Sequence, residues 1–151
     1  MKKILFLDID GVLNCTDDFV AMSRKSAHCL GQDKIERLHE ILRLTDAKVV
    51  LSSTWRRYPQ SIAFLKRKKV RFIDMTPTDI RGPHLGSYVE RGREIDAWLK
   101  GHPEVERYCI LDDDSDMLLE QMPFFVQTDF RKGGLQQEHV DKVVELLNKG
   151  E

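Results

Sequence analysis

Asp8 and Asp10 end an apolar run, Ile4-Leu5-Phe6-Leu7, and Gly11 follows them directly. Two carboxylates so placed can divide a reaction between them, one attacking as a nucleophile while the other moves a proton. Glycine permits a sharp turn at that point. The pattern of apolar run and polar end recurs twice. Val49-Val50-Leu51 ends in Ser52-Ser53-Thr54, and Tyr108-Cys109-Ile110-Leu111 ends in Asp112-Asp113-Asp114, with Asp116 just beyond.

If these runs are parallel strands of one sheet, their polar ends emerge on the same edge, where open α/β sheets gather their functional groups. Converging carboxylates repel and raise one another's pKa unless a cation lies between them, and a hard divalent ion suits oxygen ligands. Mg²⁺ is the expected ion, with Asp8, Asp10, Asp112 and Asp113 as its candidate ligands. Magnesium held by few carboxylates is commonly shared with a substrate phosphate, which points to phosphoryl transfer. Asp8 then serves as the attacking carboxylate and Asp10 as the proton carrier. Ser52 is the best-placed hydroxyl donor to the phosphate, and Arg91 or Arg93 the cation that neutralises it.

The elements that must position these groups follow from hydrophobic period. Ile4–Leu7, Val49–Leu51, Tyr108–Leu111 and Phe124–Val126 read as short buried strands, with Val70–Ile73 as a fifth candidate. Helical stripes lie between and after them: Ile35, Leu38, Ile41 and Leu42; Ile95, Trp98 and Leu99; Val140, Val143, Val144 and Leu147. Asp33 followed by Glu36 has the form of a capping box opening the first helix. Alternating strands and helices predict an α/β three-layer sandwich around a mostly parallel sheet. Residues 14–32 and 74–90 break the alternation and are expected as loops over the site.

The residues now in place resemble the haloacid dehalogenase (HAD) superfamily of phosphatases. Its four motifs appear in order: Asp8-x-Asp10-Gly11-Val12-Leu13; Ser52 after Val49-Val50-Leu51; Arg91-Gly92-Arg93-Glu94-Ile95; and Ile110-Leu111-Asp112-Asp113. The resemblance implies a HAD-type, Rossmann-like sheet with no substantial cap domain. It makes Asp8 the nucleophile and Asp10 the general acid and base. Mg²⁺ would be bound by Asp8, the backbone carbonyl of Asp10, and Asp112 or Asp113. Phosphate would be bound by Ser52, Arg91 and the turn at Gly11. Val12 stands where many members carry threonine, and arginine replaces the commoner lysine of the third motif; neither change removes a catalytic group. The pairing of the first motif with Leu51-Ser52-Ser53-Thr54-Trp55-Arg56 is similar to the small phosphatase-like domains of bacterial and phage RNA-repair proteins. Ser53, Trp55, Arg56 and Arg93 are candidate substrate contacts, since an indole beside guanidiniums suits a base and a phosphate; a tryptophan covering the core edge with its arginines in solvent is the equal alternative, and Ser53 also suits a structural role.

Bulk properties bound the partners. The 151 residues suit one domain, 1–151. Lysine and arginine total 24 against 25 aspartate and glutamate, so no global attraction to nucleic acid or membrane exists, and a phosphorylated substrate, perhaps a nucleotide or nucleic-acid end, must be held locally. Cys15, Cys29 and Cys109 lack paired spacing and suit a reducing cytoplasm. The basic run Lys66-Arg67-Lys68-Lys69 with Arg71 reads as a solvated helix end. Three rival readings stand: a small-metabolite phosphatase of the same fold, a silent interaction module, and a phosphorylatable receiver. The last would carry its acceptor aspartate at the end of a middle strand, where this chain offers Ser52.

Overall fold

The computed structural model describes residues 2–22, 28–78 and 90–151. Its centre is β1 (Lys2–Leu7), whose side chains alternate between two apolar layers because successive residues of a strand face opposite ways. Leu5 and Leu7 belong to one buried cluster, Ile4 and Phe6 to the other. The first cluster receives Ile35, Leu38 and Ile41 of α2 (Gln32–Thr45), Leu65 of α3 (Pro59–Arg67), and Val140, Val143 and Leu147 of α5 (Gln137–Asn148). The second receives Ile95 and Trp98 of α4 (Glu90–Lys100). Helices thus cover both faces of the sheet. Each fully buried Leu, Ile or Phe in these layers is worth about 1.5–3 kcal/mol.

Beside β1 lie β2 (Lys48–Leu51), β3 (Asp74–Met75), β4 (Val105–Asp112) and β5 (Phe125–Gln127), all parallel in the order β3-β2-β1-β4-β5. Register makes three strand ends level. Leu7 pairs with Leu51 on one side and Leu111 on the other, so Asp8, Ser52 and Asp112 emerge together. The middle of the sheet therefore belongs to β1, and strand position does not separate the receiver reading as expected. Among the described residues nothing forms a separate cap domain. No helix there is long and apolar enough to cross a membrane.

Five local expectations change. Val70–Ile73 is not a strand: Val70 is swallowed by the core as the chain leaves α3, and pairing starts only at Asp74 with Val50. The last strand begins at Phe125 because Phe124 still lies in a 3-10 turn, Leu119–Phe124. No capping box opens α2, whose N-cap is Gly31; Asp33 instead binds Lys34 and Arg37 at 3.2 Å each, and Glu36 is exposed. Residues 14–32 hold a short helix, α1 (Thr16–Ala21), opened by Asp18 Oδ2 accepting from the N–H of Cys15 at 3.0 Å. Of residues 74–90, two form β3 and Glu90 starts α4; the part between 79 and 89 lies outside the described residues.

Candidate active site

The edge where Asp8, Ser52 and Asp112 emerge is stitched by backbone bonds. Asp8 N–H donates to Leu111 at 3.0 Å, Ser52 N–H to Leu7 at 2.8 Å, and Thr128 N–H to Asp112 at 3.0 Å. The loops after β1 and β4 meet at Gly11. Its φ of +81° is a left-handed conformation that glycine adopts freely, and a Cβ there would lie 2.1 Å from Asp113 Oδ2. Any side chain at this position would push Asp113 out of place. Asn14 and Thr128 fasten the same turn: Asn14 Oδ1 accepts from Gly11 N–H at 2.9 Å, and Thr128 Oγ1 donates to Gly11 O at 2.6 Å.

Asp8, Asp112 and Asp113 each offer a carboxylate oxygen, all within 4.8 Å of one another. Burial, and then the charge of Asp8, push the Asp113 carboxyl up to about 6 and Asp112 well above the carboxylate range. Three hard oxygen donors whose ionised forms repel are the donor set that Mg²⁺ suits. Both late aspartates join this set. Asp10 does not bring its carboxylate to it: Oδ1 accepts from Asn14 Nδ2 at 2.9 Å and Oδ2 from Trp55 Nε1 at 3.0 Å.

Arg91 supplies the opposing charge. Its Nη1 lies 3.4 Å from Asp8 Oδ1 and 3.6 Å from Asp112 Oδ2, and donates to the backbone oxygen of Ser52. Burial works against this guanidinium, yet Asp8, Asp112 and Asp116 outweigh it and hold its pKa above the ordinary arginine value. The helix that carries it sits close because Gly92 has no side chain: a Cβ there would lie 2.6 Å from both Leu118 N and Gln121 Oε1. Asp116 Oδ2 accepts from Arg91 N–H at 3.3 Å, so this acid braces the helix start and stands outside the three-acid set. Arg93 follows two residues on, about 200° around the helix, and is not brought to the carboxylates.

Ser52 Oγ is buried and, among the described residues, has no hydrogen-bond partner. A buried hydroxyl left so costs about 1–3 kcal/mol, which a bound acceptor would recover. The N–H groups of Ile9 and Asp10 likewise meet no protein acceptor among the described residues. In the turn at Gly11, expected to bind phosphate, the Gly11 N–H is given to Asn14.

The remaining candidates are occupied by the protein. Ser53 Oγ accepts from Trp55 N–H at 3.2 Å, capping the short helix Thr54–Arg57. Trp55 is 5% exposed, packed near His28 and Phe64, with its indole N–H on Asp10; it is not an open stacking platform. Arg56 is buried as well, its Nη2 2.8 Å from Glu94 Oε2 and its other donors on Thr76 and Ser53 carbonyls. These contacts withdraw Arg56 from the substrate role expected of it. Asn14 and Glu94 are the residues that sequence reasoning missed. Asn14 directly follows the first motif, four residues from Asp10, and Glu94 lies within the third, so both were in view without a stated task.

A parallel sheet with an aspartate pair after its central strand, a serine after the next and two aspartates after the fourth defines a HAD-type α/β protein. Residues 4–140 match the family described as "HAD domain in Swiss Army Knife RNA repair proteins", and the chain belongs to that family. No curated protein and no solved structure matches it.

Proposed function

We propose that this chain is a Mg²⁺-dependent phosphomonoester hydrolase that acts through an aspartyl-phosphate intermediate on the terminal phosphate of a polynucleotide or nucleotide. The observation that carries this reading is the set of Asp8, Asp112 and Asp113 oxygens within 4.8 Å, faced by Arg91. Asp8 attacks phosphorus, and the bond to the leaving oxygen breaks as Asp10 protonates it. Asp10 then takes a proton from water, whose oxygen attacks the acyl phosphate; inorganic phosphate leaves and Asp8 is restored. Ser52 Oγ, the N–H groups of Ile9 and Asp10, and Arg91 hold the phosphoryl oxygens. Asp8, Asp112 and Asp113, with the Asp10 carbonyl, would hold Mg²⁺, which when bound would supply positive charge against that of the phosphoryl group.

The substrate class is supported by the family's place in RNA repair and by an acid set left without a cap among the described residues. The chain is taken as one phosphatase domain, and its three free, buried thiols suit a reducing cytoplasm. The test is phosphate release with Mg²⁺ from an aryl phosphate, mononucleotides and 3′- or 5′-phosphorylated oligonucleotides. Release from phosphorylated ends that disappears in Asp8→Asn is expected. A panel without any release, or an Asp8→Asn variant as active as the parent, sinks the reading.

A further inference from the structure

Asp113 has a second neighbourhood. Besides joining the acid set it walls a cleft of about 570 Å³, a volume within the roughly 300–1,000 Å³ typical of ligand pockets. None of the chemistry above uses this cleft. Its lining includes Gln127 at the end of β5 and Phe130, Arg131 and Lys132, which form a short 3-10 helix.

The cations of that helix are uncommitted. Arg131 and Lys132 are exposed, and among the described residues neither side chain is in an ion pair. Two of the carboxylates nearby have other tasks: Asp113 belongs to the acid set, and Asp129 Oδ1 caps the helix by accepting from Arg131 N–H at 2.9 Å. Glu138 also lines the cleft, but its side chain is 79% exposed and so well screened. The Phe130 ring is braced by Phe19, ring centroids 5.9 Å apart. The backbone behind it is pinned, with Thr16 Oγ1 on Phe130 O at 3.2 Å, Gly134 N–H on Asp129 O at 2.9 Å, and Leu135 N–H on Val12 O at 2.9 Å. The aromatic wall and the two cations are therefore fixed to the loop that carries Asp8 and Asp10.

An aromatic face beside free cations is what single-stranded nucleic acid uses: a base stacks and a phosphodiester is neutralised. We propose that this cleft is a strand-binding subsite, in which the nucleotides adjoining the terminal phosphate lie with a base against Phe130 and a phosphodiester on Arg131 and Lys132. The inference rests on the phosphatase reading for the placement of the terminal phosphate, while strand binding itself needs no turnover. The other exposed basic cluster, Lys66 to Arg71, lies at the far end of α3, which runs back from the active edge between the parallel strands β2 and β3. Nine residues of helix put it about 14 Å from that edge, so it serves as the control patch.

The test is fluorescence anisotropy of a labelled short RNA whose terminal phosphate is replaced by a non-hydrolysable phosphonate, at either end, titrated with the whole chain and Mg²⁺ at several salt concentrations. Arg131→Ala with Lys132→Ala should weaken binding about tenfold or more and flatten the salt slope by about 0.7, the value for one single-strand phosphate. Phe130→Leu should weaken binding without changing that slope. Lys66→Ala with Lys68→Ala should bind as the parent does. The subsite is refuted if the Arg131 and Lys132 variant keeps parental affinity, if the control patch variant loses as much, or if a mononucleotide binds as tightly as the RNA. Strand binding lost in the Arg131 and Lys132 variant, from a parent that releases no phosphate, would keep the subsite and discard the catalytic reading.

Discussion

The indole N–H of Trp55 donates to Asp10 Oδ2 at 3.0 Å, joining the proposed proton carrier to the short helix that follows β2. Asn14 holds the other oxygen of the same carboxylate at 2.9 Å. Asp10 is therefore oriented from two sides before substrate arrives. Trp55→Phe keeps the ring and removes the donor. A hydrogen bond to a charged group is worth about 1.5–3 kcal/mol, so kcat should fall roughly ten- to a hundredfold. KM for an aryl phosphate should change little, because Trp55 acts through Asp10. Steady-state kinetics check this, and an equal rise in KM with constant kcat would contradict it.

The buried pair Arg56 and Glu94 ties that short helix to α4 and hence to Arg91. Both side chains are under 5% exposed, and burial pushes Glu94 up and Arg56 down from their ordinary pKa values. Removing one partner leaves the other charge stranded. Glu94→Ala should cost about 3–5 kcal/mol, whereas Arg56→Met with Glu94→Leu should recover most of that loss. Chemical denaturation of the three proteins decides it.

On the proposed reading Mg²⁺ should stabilise the fold, because it would bind the native acid set and not the unfolded chain. A concentration a hundredfold above the dissociation constant adds about 2.7 kcal/mol. Asp113→Asn removes one of three mutually repelling carboxylates, so the metal-free variant should melt higher than the metal-free parent. It should also gain less from added Mg²⁺. Thermal melts in EDTA and in Mg²⁺ test both statements, and a parent indifferent to Mg²⁺ would contradict the first.

His139 gives a pH dependence away from the acids. Its Nδ1 accepts from Gln136 N–H at 2.9 Å in the first turn of α5, a bond that protonation of Nδ1 destroys. Burial lowers its pKa from the ordinary 6.5, against the opposing pull of Glu138. The unfolded chain therefore binds the proton first. Stability from this group is complete above pH 6.5 and is lost as pH falls from there through the lower native value. His139→Gln keeps a capping side chain without the titration, and its unfolding free energy should vary less with pH between neutrality and the mild acid range. Denaturant curves across that range provide the measurement.

Strands β1, β2 and β4 were legible because each is an apolar run with a polar end, and the stripes of α2, α4 and α5 were legible by period. β3 was not: it is two residues long, begins at an exposed aspartate, and owes its existence to pairing with Val50 and Leu51. α3 announces itself only by Pro59 at its first position. At the site, Asp8, Ser52, Asp112 and Asp113 meet because strand ends in register converge whatever lies between them, and Arg91 joins them from the start of α4, which Gly92 lets sit close. The tasks of Trp55 and Arg56 stayed open in the sequence for the opposite reason. Whether an indole and a guanidinium face water or core is settled by partners far along the chain, here Asp10 and Glu94.

The bond from Asp8 N–H to Leu111 O also has a bearing on when the centre comes into being. Synthesis delivers Asp8 long before Asp112 and Asp113, and until β4 docks beside β1 the early carboxylates have neither their acidic companions nor the neighbour that fixes their height on the edge. Such distant pairings form late because the intervening chain must first be ordered. A nascent or clipped polypeptide thus carries the proposed nucleophile without its acid partners, and on that reading the capacity to attack phosphate would arise only once β4 has docked beside β1.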